Sequence, residues 1–370
     1  MPVWWGILGL SVVIFFWSNI NYKVVKVGQN YEKRATWAPA IIFFGVVIFF
    51  CGLRSEVADT EAYIYMFRGY PNSIIGVDWS DLGDDIGFVV LSILYKQFIS
   101  TDFQGWLFLI ALISGIVTML AFKKYSCDFG LTCFLFVATT TMIYLINGMR
   151  QYICISILLL CTDWIIQRKT IPYMILVLLL STIHGSALIF VPLYFLLDCK
   201  PWTSRMWFCV VSAVVVGLGF DALGPMLGDA LEDTSYSNYS NIITADGGGM
   251  NVIRFLIVLV PAILSFAGRR IIEREENKLI ELCVNMTILN VCIYFVALFS
   301  SGMALGRLAA YFDIYNLLLL PWLIRNVFEK KSSKLVFCFC YVMYIFFFAY
   351  QMILTWDINY VSSFLGLYYR

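Results

Sequence analysis

Residues 103–122 read FQGWLFLIALISGIVTMLAF, twenty positions without a charge, and Lys123 and Lys124 follow at once. An α-helix rises about 1.5 Å per residue, so a run of this length covers the roughly 30 Å hydrocarbon core of a bilayer. Similar runs recur along the whole chain. Of the 370 residues, 61% are hydrophobic and 13% charged, and the mean hydropathy is +0.83. Such values lie outside the soluble globular range and predict an all-α, polytopic integral membrane protein.

Working outward from that run, the apolar pattern predicts about twelve spanning helices. They lie at 3–20, 38–53, 103–122, 129–146, 151–167, 170–183, 185–197, 206–228, 251–268, 281–301, 306–325 and 335–354. No stretch remains for a soluble domain, so 1–370 reads as a single integral membrane domain. The first run lacks a basic leader and a small-residue cleavage site, which makes it a first span.

Basic residues gather in alternate short connections. They are Lys23, Lys26, Lys33 and Arg34; Lys123 and Lys124; Arg168 and Lys169; Lys200 and Arg205; Arg269, Arg270, Arg274 and Lys278; Arg325, Lys330, Lys331 and Lys334. Positive-inside bias places these in the cytoplasm. Segments 54–102 and 229–250 are then extracytoplasmic, and the second carries Asp229, Glu232, Asp233 and Asp246 but no Lys or Arg. This topology requires the apolar stretch 86–99 to lie in the outer leaflet without crossing. It also splits 171–197 into two short helices meeting near His184 and Gly185. A break of that kind is tolerated only where its backbone lines a cavity or is buried in protein.

A net charge of +1 says nothing about partners in total, so the information lies in how charges are distributed between loops, and no nucleic-acid partner is expected. Nine of the eleven cysteines, Cys51, Cys133, Cys154, Cys161, Cys209, Cys283, Cys292, Cys338 and Cys340, sit in apolar runs and read as small hydrophobes. The Cys338–Cys340 pair lacks the partners of a zinc site, and no metal site or cofactor is expected. There is no internal repeat, which disfavours transporters built from inverted repeats.

Ionisable residues near membrane depth are costly and are functional candidates by default. Four stand at the outer ends of helices. Arg54 lies in CGLRSEVADTEAYIYMF (51–67), with Asp59 and Tyr63 spaced to return over it; the plainer reading is an interfacial arginine that pairs with Glu56 or Asp59. Arg150 lies in NGMRQYICIS (147–156) beside Asn147 and Gln151, on the side that basic residues avoid. An anionic ligand or a structural acid would account for it. Arg307 shares a helical face with Tyr311 and Tyr315, with Asp313 as a local counter-charge in the packing alternative. His184, the one histidine, falls at the expected helix break in STIHGSALIFVPLYF (181–195) and reads as a base, a phosphate contact or a core residue.

Five stretches in order resemble the EpsG-type polysaccharide-biosynthesis membrane proteins, which are related in role to the Wzy O-antigen and capsule polymerases. They are GLRSEVADTEAY (52–63), DDIGF (84–88), NGMRQYICIS, HGSALIFVPLY (184–194) and GRLAAYFDIY (306–315). One departure is VADTEAY, where the family often has G-T-D before its tyrosine, which weakens the role of Asp59. The resemblance implies a GT-C-like, metal-independent glycosyltransferase of the bacterial inner membrane with its site facing the periplasm or exterior. It implies an undecaprenyl-diphosphate-linked glycan as donor, another lipid-linked repeat as acceptor, and a polysaccharide co-polymerase as chain-length regulator.

The residues fit that reaction. Guanidinium groups suit a diphosphate leaving group, and the outer segments contain no D-x-D sequence. Arg150 and Arg307 are expected to neutralise the diphosphate and Arg54 to support it or the sugar. His184 is the expected base, with Asp59 second, and Tyr63, Tyr311, Asn147 and Gln151 are expected near the sugars. Two rival classes are a lipid-linked-oligosaccharide flippase and a membrane acyltransferase acting on envelope glycans.

Overall fold

The computed structural model describes residues 1–27, 30–77, 83, 85–220 and 249–368. Its elements begin with α1 (Pro2–Ile20), β1 (Tyr22–Val27), β2 (Asn30–Ala35), α2 (Trp37–Gly52), α3 (Thr60–Gly69), α4 (Ile86–Phe98) and α5 (Phe103–Tyr125). Then come α6 (Phe129–Ala138), α7 (Met149–Leu160), α8 (Thr162–Ile166), α9 (Thr170–Ser181), α10 (Phe190–Leu196) and α11 (Ser204–Leu218). The last are α12 (Val252–Ala267), α13 (Arg269–Glu275), α14 (Lys278–Ala297), α15 (Gly302–Asn326) and α16 (Lys330–Ala349). Two compact units result: Met1–Val191 with Lys334–Arg370, and Pro192–Ser333.

Among the described residues five helices are long and apolar enough to cross a membrane: Pro2–Ile20, Phe103–Tyr125, Lys278–Ala297, Gly302–Asn326 and Lys331–Thr355. The pair α12 and α13, bent by 67°, makes a sixth if it is one span. Seven further apolar helices have only 10–17 residues. The expected runs 129–146 and 151–167 show why. Helix α6 stops at Ala138, Thr140 takes a left-handed conformation (φ 64°), residues Thr141–Leu145 form a 3₁₀ turn, and Gly148 is again left-handed (φ 84°) before α7 starts. Glycine is favoured at 148 because a side chain strains that conformation. The last part of the expected 206–228 span, the acidic segment 229–248 and Asp84 of the DDIGF stretch lie outside the described residues.

The expected break at His184 and Gly185 is present. Helix α9 ends at Ser181, His184 is extended (φ −157°), and a 3₁₀ turn at Gly185–Ile189 leads into α10. Helix α4 has 13 residues, about 20 Å at 1.5 Å each, which is short of the hydrocarbon core.

One departure from an all-α reading is the antiparallel hairpin, paired from Tyr22↔Ala35 to Val27↔Asn30, where a plain basic connection was expected. Valine and tyrosine in YKVVKV favour extended backbone more strongly than the lysines oppose it. The hairpin joins two basic clusters on one end of the first unit. Arg34 Nη1 donates to the carbonyls of Lys124 at 2.8 Å and Ser126 at 3.2 Å, and Lys123 Nζ donates to the Ala35 carbonyl. At the other end of α5, Gln104 donates to the carbonyls of Gly52 (2.7 Å) and Arg54 (3.3 Å). The helix thus separates the basic end from the Arg54 end by about 30 Å.

Helices α2 and α5 approach closely at two glycines. A Cβ on Gly115 would run into Ile48, and one on Gly52 into Phe108, the small-residue contact common between membrane helices. Above Gly52 the C-terminal segment returns over the end of α2. Tyr360 OH donates to the Phe50 carbonyl at 3.0 Å, Ser55 N to the Val361 carbonyl at 2.9 Å, and Ser363 N to Ser55 Oγ at 2.8 Å. The loop that carries Arg54 is therefore pinned from behind.

In the second unit α14 packs along α15, with α11 and α12 against it. Its interior holds a polar network in which Asp313 accepts from Asn290 Nδ2 (2.7 Å) and Tyr294 OH (2.8 Å). Arg254 Nε donates to Tyr294 OH at 3.0 Å, and its Nη2 lies 3.9 Å from Asp313.

Candidate active site

The first unit gathers both helix breaks around the start of α4. Gly87 N donates to the Thr182 carbonyl at 2.7 Å, and a Cβ at Gly87 would collide with Thr182, so this close approach requires glycine. It brings the residue before α4, Asp85, against the turn after α9. Asp85 occupies the N-cap position of α4 but its side chain makes no capping bond. Its carboxylate faces the breaks instead. Oδ2 accepts from Arg150 Nη1 at 2.6 Å and lies 3.4 Å from His184 Nδ1, while Oδ1 accepts from Gly185 N at 3.3 Å.

Asp59 repeats the arrangement. It stands at the N-cap of α3, again without a side-chain capping bond. With the Asn147 amide turned so that nitrogen faces the carboxylate, Asn147 donates to Asp59 at 2.5 and 3.2 Å. An N-cap aspartate normally satisfies an orphan helix N–H, a contribution of about 1 kcal/mol. Two aspartates that forgo it in favour of the segment 147–150 and the turn at 184–185 mark where the fold concentrates polar side chains.

Around this cluster the Arg150 guanidinium lies 5.7 Å from the Tyr63 ring and 5.8 Å from the Phe88 ring, and the Tyr63 hydroxyl is a hydrogen-bond partner of Arg150. Arg150 Nε is buried without a partner. The side chains stay partly open: 29% exposed for Arg150, 22% for His184 and 13% for Asp85. Tyr70 sits within the fields of Arg150 and Asp85; burial pushes its phenol up against the opposing Arg150 charge, so it is a neutral hydroxyl at physiological pH.

The expected site residues separate into three groups. His184, Arg150, Asn147, Asp59 and Tyr63 come together. Arg54 does not join them at the surface: it is 1% exposed, with Nε on Thr60 Oγ1 (2.8 Å), Nη1 on the Cys51 carbonyl and Nη2 on Met149 Sδ (3.3 Å). Burial lowers its guanidinium to about 10, against the smaller effects of Cys51, Tyr63 and Tyr360, and leaves it charged at neutral pH. It ties the end of α2 to the start of α7, and Gln151 is likewise buried. Arg307 and Tyr311 belong to the second unit. Arg307 is exposed near the start of α15, whereas Tyr311 and Tyr315 are buried, so the face they were expected to share passes from surface to core within one turn. The residues of the cluster that were missed are Asp85 and Tyr70. The signal for Asp85 was an acid directly before an apolar helix, inside a stretch read only as a family marker.

Fold and site define a multi-pass helical membrane protein with a polar cluster built at two helix breaks. A family model described as the EpsG family matches residues 37–362, from α2 to the C-terminal segment, and the chain belongs to this family of polysaccharide-biosynthesis membrane proteins. No curated protein and no solved structure matches it.

Proposed function

We propose that the chain polymerises oligosaccharide repeat units carried on undecaprenyl diphosphate, as a metal-independent glycosyltransferase working at the outer face of a bacterial inner membrane. The observation that carries this reading is the Asp85–Arg150–His184 cluster, placed at two helix breaks in a membrane protein of a polysaccharide-biosynthesis family. The proposed twelve crossings are the five long helices, the bent pair α12–α13, and α2, α6, α7, α9, α10 and α11 one each, while α4 lies in the outer leaflet. Arg34, Lys123 and Lys124 mark the cytoplasmic end, and a polysaccharide co-polymerase sets chain length.

In the reaction, the acceptor hydroxyl oxygen bonds to the donor's anomeric carbon as the bond from that carbon to the diphosphate oxygen breaks. The bonding pair leaves with the diphosphate, and the hydroxyl proton passes to His184. Asp85, by accepting from Nδ1–H, holds the imidazole in the tautomer whose Nε2 is basic. A positioned base of this kind contributes about 10²- to 10⁴-fold.

The test is formation of a polymer ladder from a purified lipid-diphosphate-linked repeat unit by wild-type protein and by His184→Gln and Asp59→Asn variants. The reading expects a ladder from wild type and its loss in folded His184→Gln. A ladder that survives His184→Gln but not Asp59→Asn moves the base to Asp59, and no ladder from any protein removes the polymerase reading.

A further inference from the structure

We infer that the Asp85–Arg150–His184 cluster is the acceptor-sugar subsite, holding neutral hydroxyls, and that Arg150 is not a diphosphate ligand. This rests on the polymerase reading and divides its two substrates between different side chains. The argument is one of matching donors to acceptors. A diphosphate oxygen only accepts hydrogen bonds, so its site needs donors without acceptors among them. A sugar hydroxyl both donates and accepts, so its site alternates the two.

The cluster alternates them. The Arg150 fork, a pure donor, lies against Asp85, a pure acceptor, at 2.6 Å; the Asn147 amide lies against Asp59 in the same way. The Arg150 charge is matched by Asp85 at 2.6 Å, and Asp59 adds a second carboxylate beside Asn147, so the cluster lacks the excess positive charge that an anion needs. Asp85 is not poised to swing aside, because Arg150, His184 and Gly185 N hold both its oxygens. An anion drawn to the guanidinium would meet the repulsion of that fixed carboxylate at nearly the same range. The Tyr63 and Phe88 rings pack 5.7 and 5.8 Å from the guanidinium, the Tyr63 hydroxyl and Asp85 both bond to it, and Nε is buried, so little of the fork is left for an anion.

A sugar fits this edge. One hydroxyl accepts from Arg150 while its neighbour donates to Asp85, and the acceptor oxygen then lies beside the imidazole that takes its proton. The neutral Tyr70 hydroxyl adds a further partner of either sense. The diphosphate falls to cations outside the cluster.

The experiment uses full-length protein in nanodiscs and undecaprenyl diphosphate without a glycan as the probe, with inorganic pyrophosphate as competitor. Wild type and Arg150→Ala should bind the probe within about twofold of each other, although Arg150→Ala loses polymerisation. Asp85→Asn, which unmasks the arginine, should bind it more tightly. Arg150→Gln, closer in size, repeats the test if Arg150→Ala does not fold. A tenfold or larger loss of probe binding in either Arg150 variant overturns the inference while leaving the polymerase reading standing. Failure of wild type to bind the probe at all sinks both.

Discussion

Replacing Asp85 by Asn changes one atom and tests the role of the cluster directly. If the amide keeps its oxygen on Gly185 N, its nitrogen takes the place of Oδ2, facing Arg150 Nη1 and His184 Nδ1. Two donors then oppose each other at Arg150, and Nδ1 must accept, which moves the imidazole proton to Nε2 and removes the basic atom from the acceptor hydroxyl. If the amide turns over, Gly185 N loses its acceptor instead. The catalytic loss expected from the wrong tautomer is about 10²- to 10⁴-fold in kcat, or roughly 3–5 kcal/mol of barrier. The structural loss is smaller. A fully buried pair broken on one side costs about 3–5 kcal/mol and an exposed one about 0–1. With side chains 29% and 13% exposed, the Arg150–Asp85 pair falls between, at about 1–3 kcal/mol. The single-turnover rate of forming one linkage measures the first quantity and thermal unfolding in detergent the second. Asp85→Asn protein that keeps a third or more of wild-type kcat would refute the reasoning, whatever its stability.

Other outcomes follow from the same geometry. Gly87→Val should lower the melting temperature by overpacking against Thr182, at a cost of about 1–3 kcal/mol, and should reduce kcat because Asp85 moves with α4; Gly69→Ala, where a Cβ meets nothing, is the control. Arg54→Ala should cost about 2–4 kcal/mol as a buried truncation, seen as a lower melting temperature and yield, with KM in the folded fraction changed less than about threefold. A large KM increase at unchanged stability would return Arg54 to the substrate. Removal of residues 358–370 frees the Phe50 and Leu53 carbonyls and should lower the melting temperature as well, measured against full-length protein in the same detergent.

Much of this architecture was legible because its signals are local. The break at 184–185 showed as a glycine between two apolar runs each too short to cross, and the turn before Arg150 as Asn-Gly between two apolar stretches. What was not legible depends on contacts distant in sequence. Asp85 meets partners 65 and 99 residues away, and nothing in its own neighbourhood distinguishes it from an N-cap. Arg54 was expected to support the diphosphate or the sugar, with an interfacial arginine as the plainer alternative; its burial depends on residues such as Met149 that are distant in sequence. Asp313 was weighed as a partner for Arg307, yet its carboxylate is engaged by Asn290, Tyr294 and Arg254 from neighbouring helices. The hairpin was hidden because lysines at a membrane surface read as a connection even where valine and tyrosine favour strand.

The most direct test of the polymerase reading is product stoichiometry. Purified protein is supplied with a lipid-diphosphate-linked repeat unit in the presence of a chelator, and the products are resolved by mass. The account predicts glycans of two and more repeats on one lipid, with one undecaprenyl diphosphate released for each linkage formed. Repeat units that change leaflet with no new linkage and no released lipid diphosphate would contradict it and make the chain a transporter.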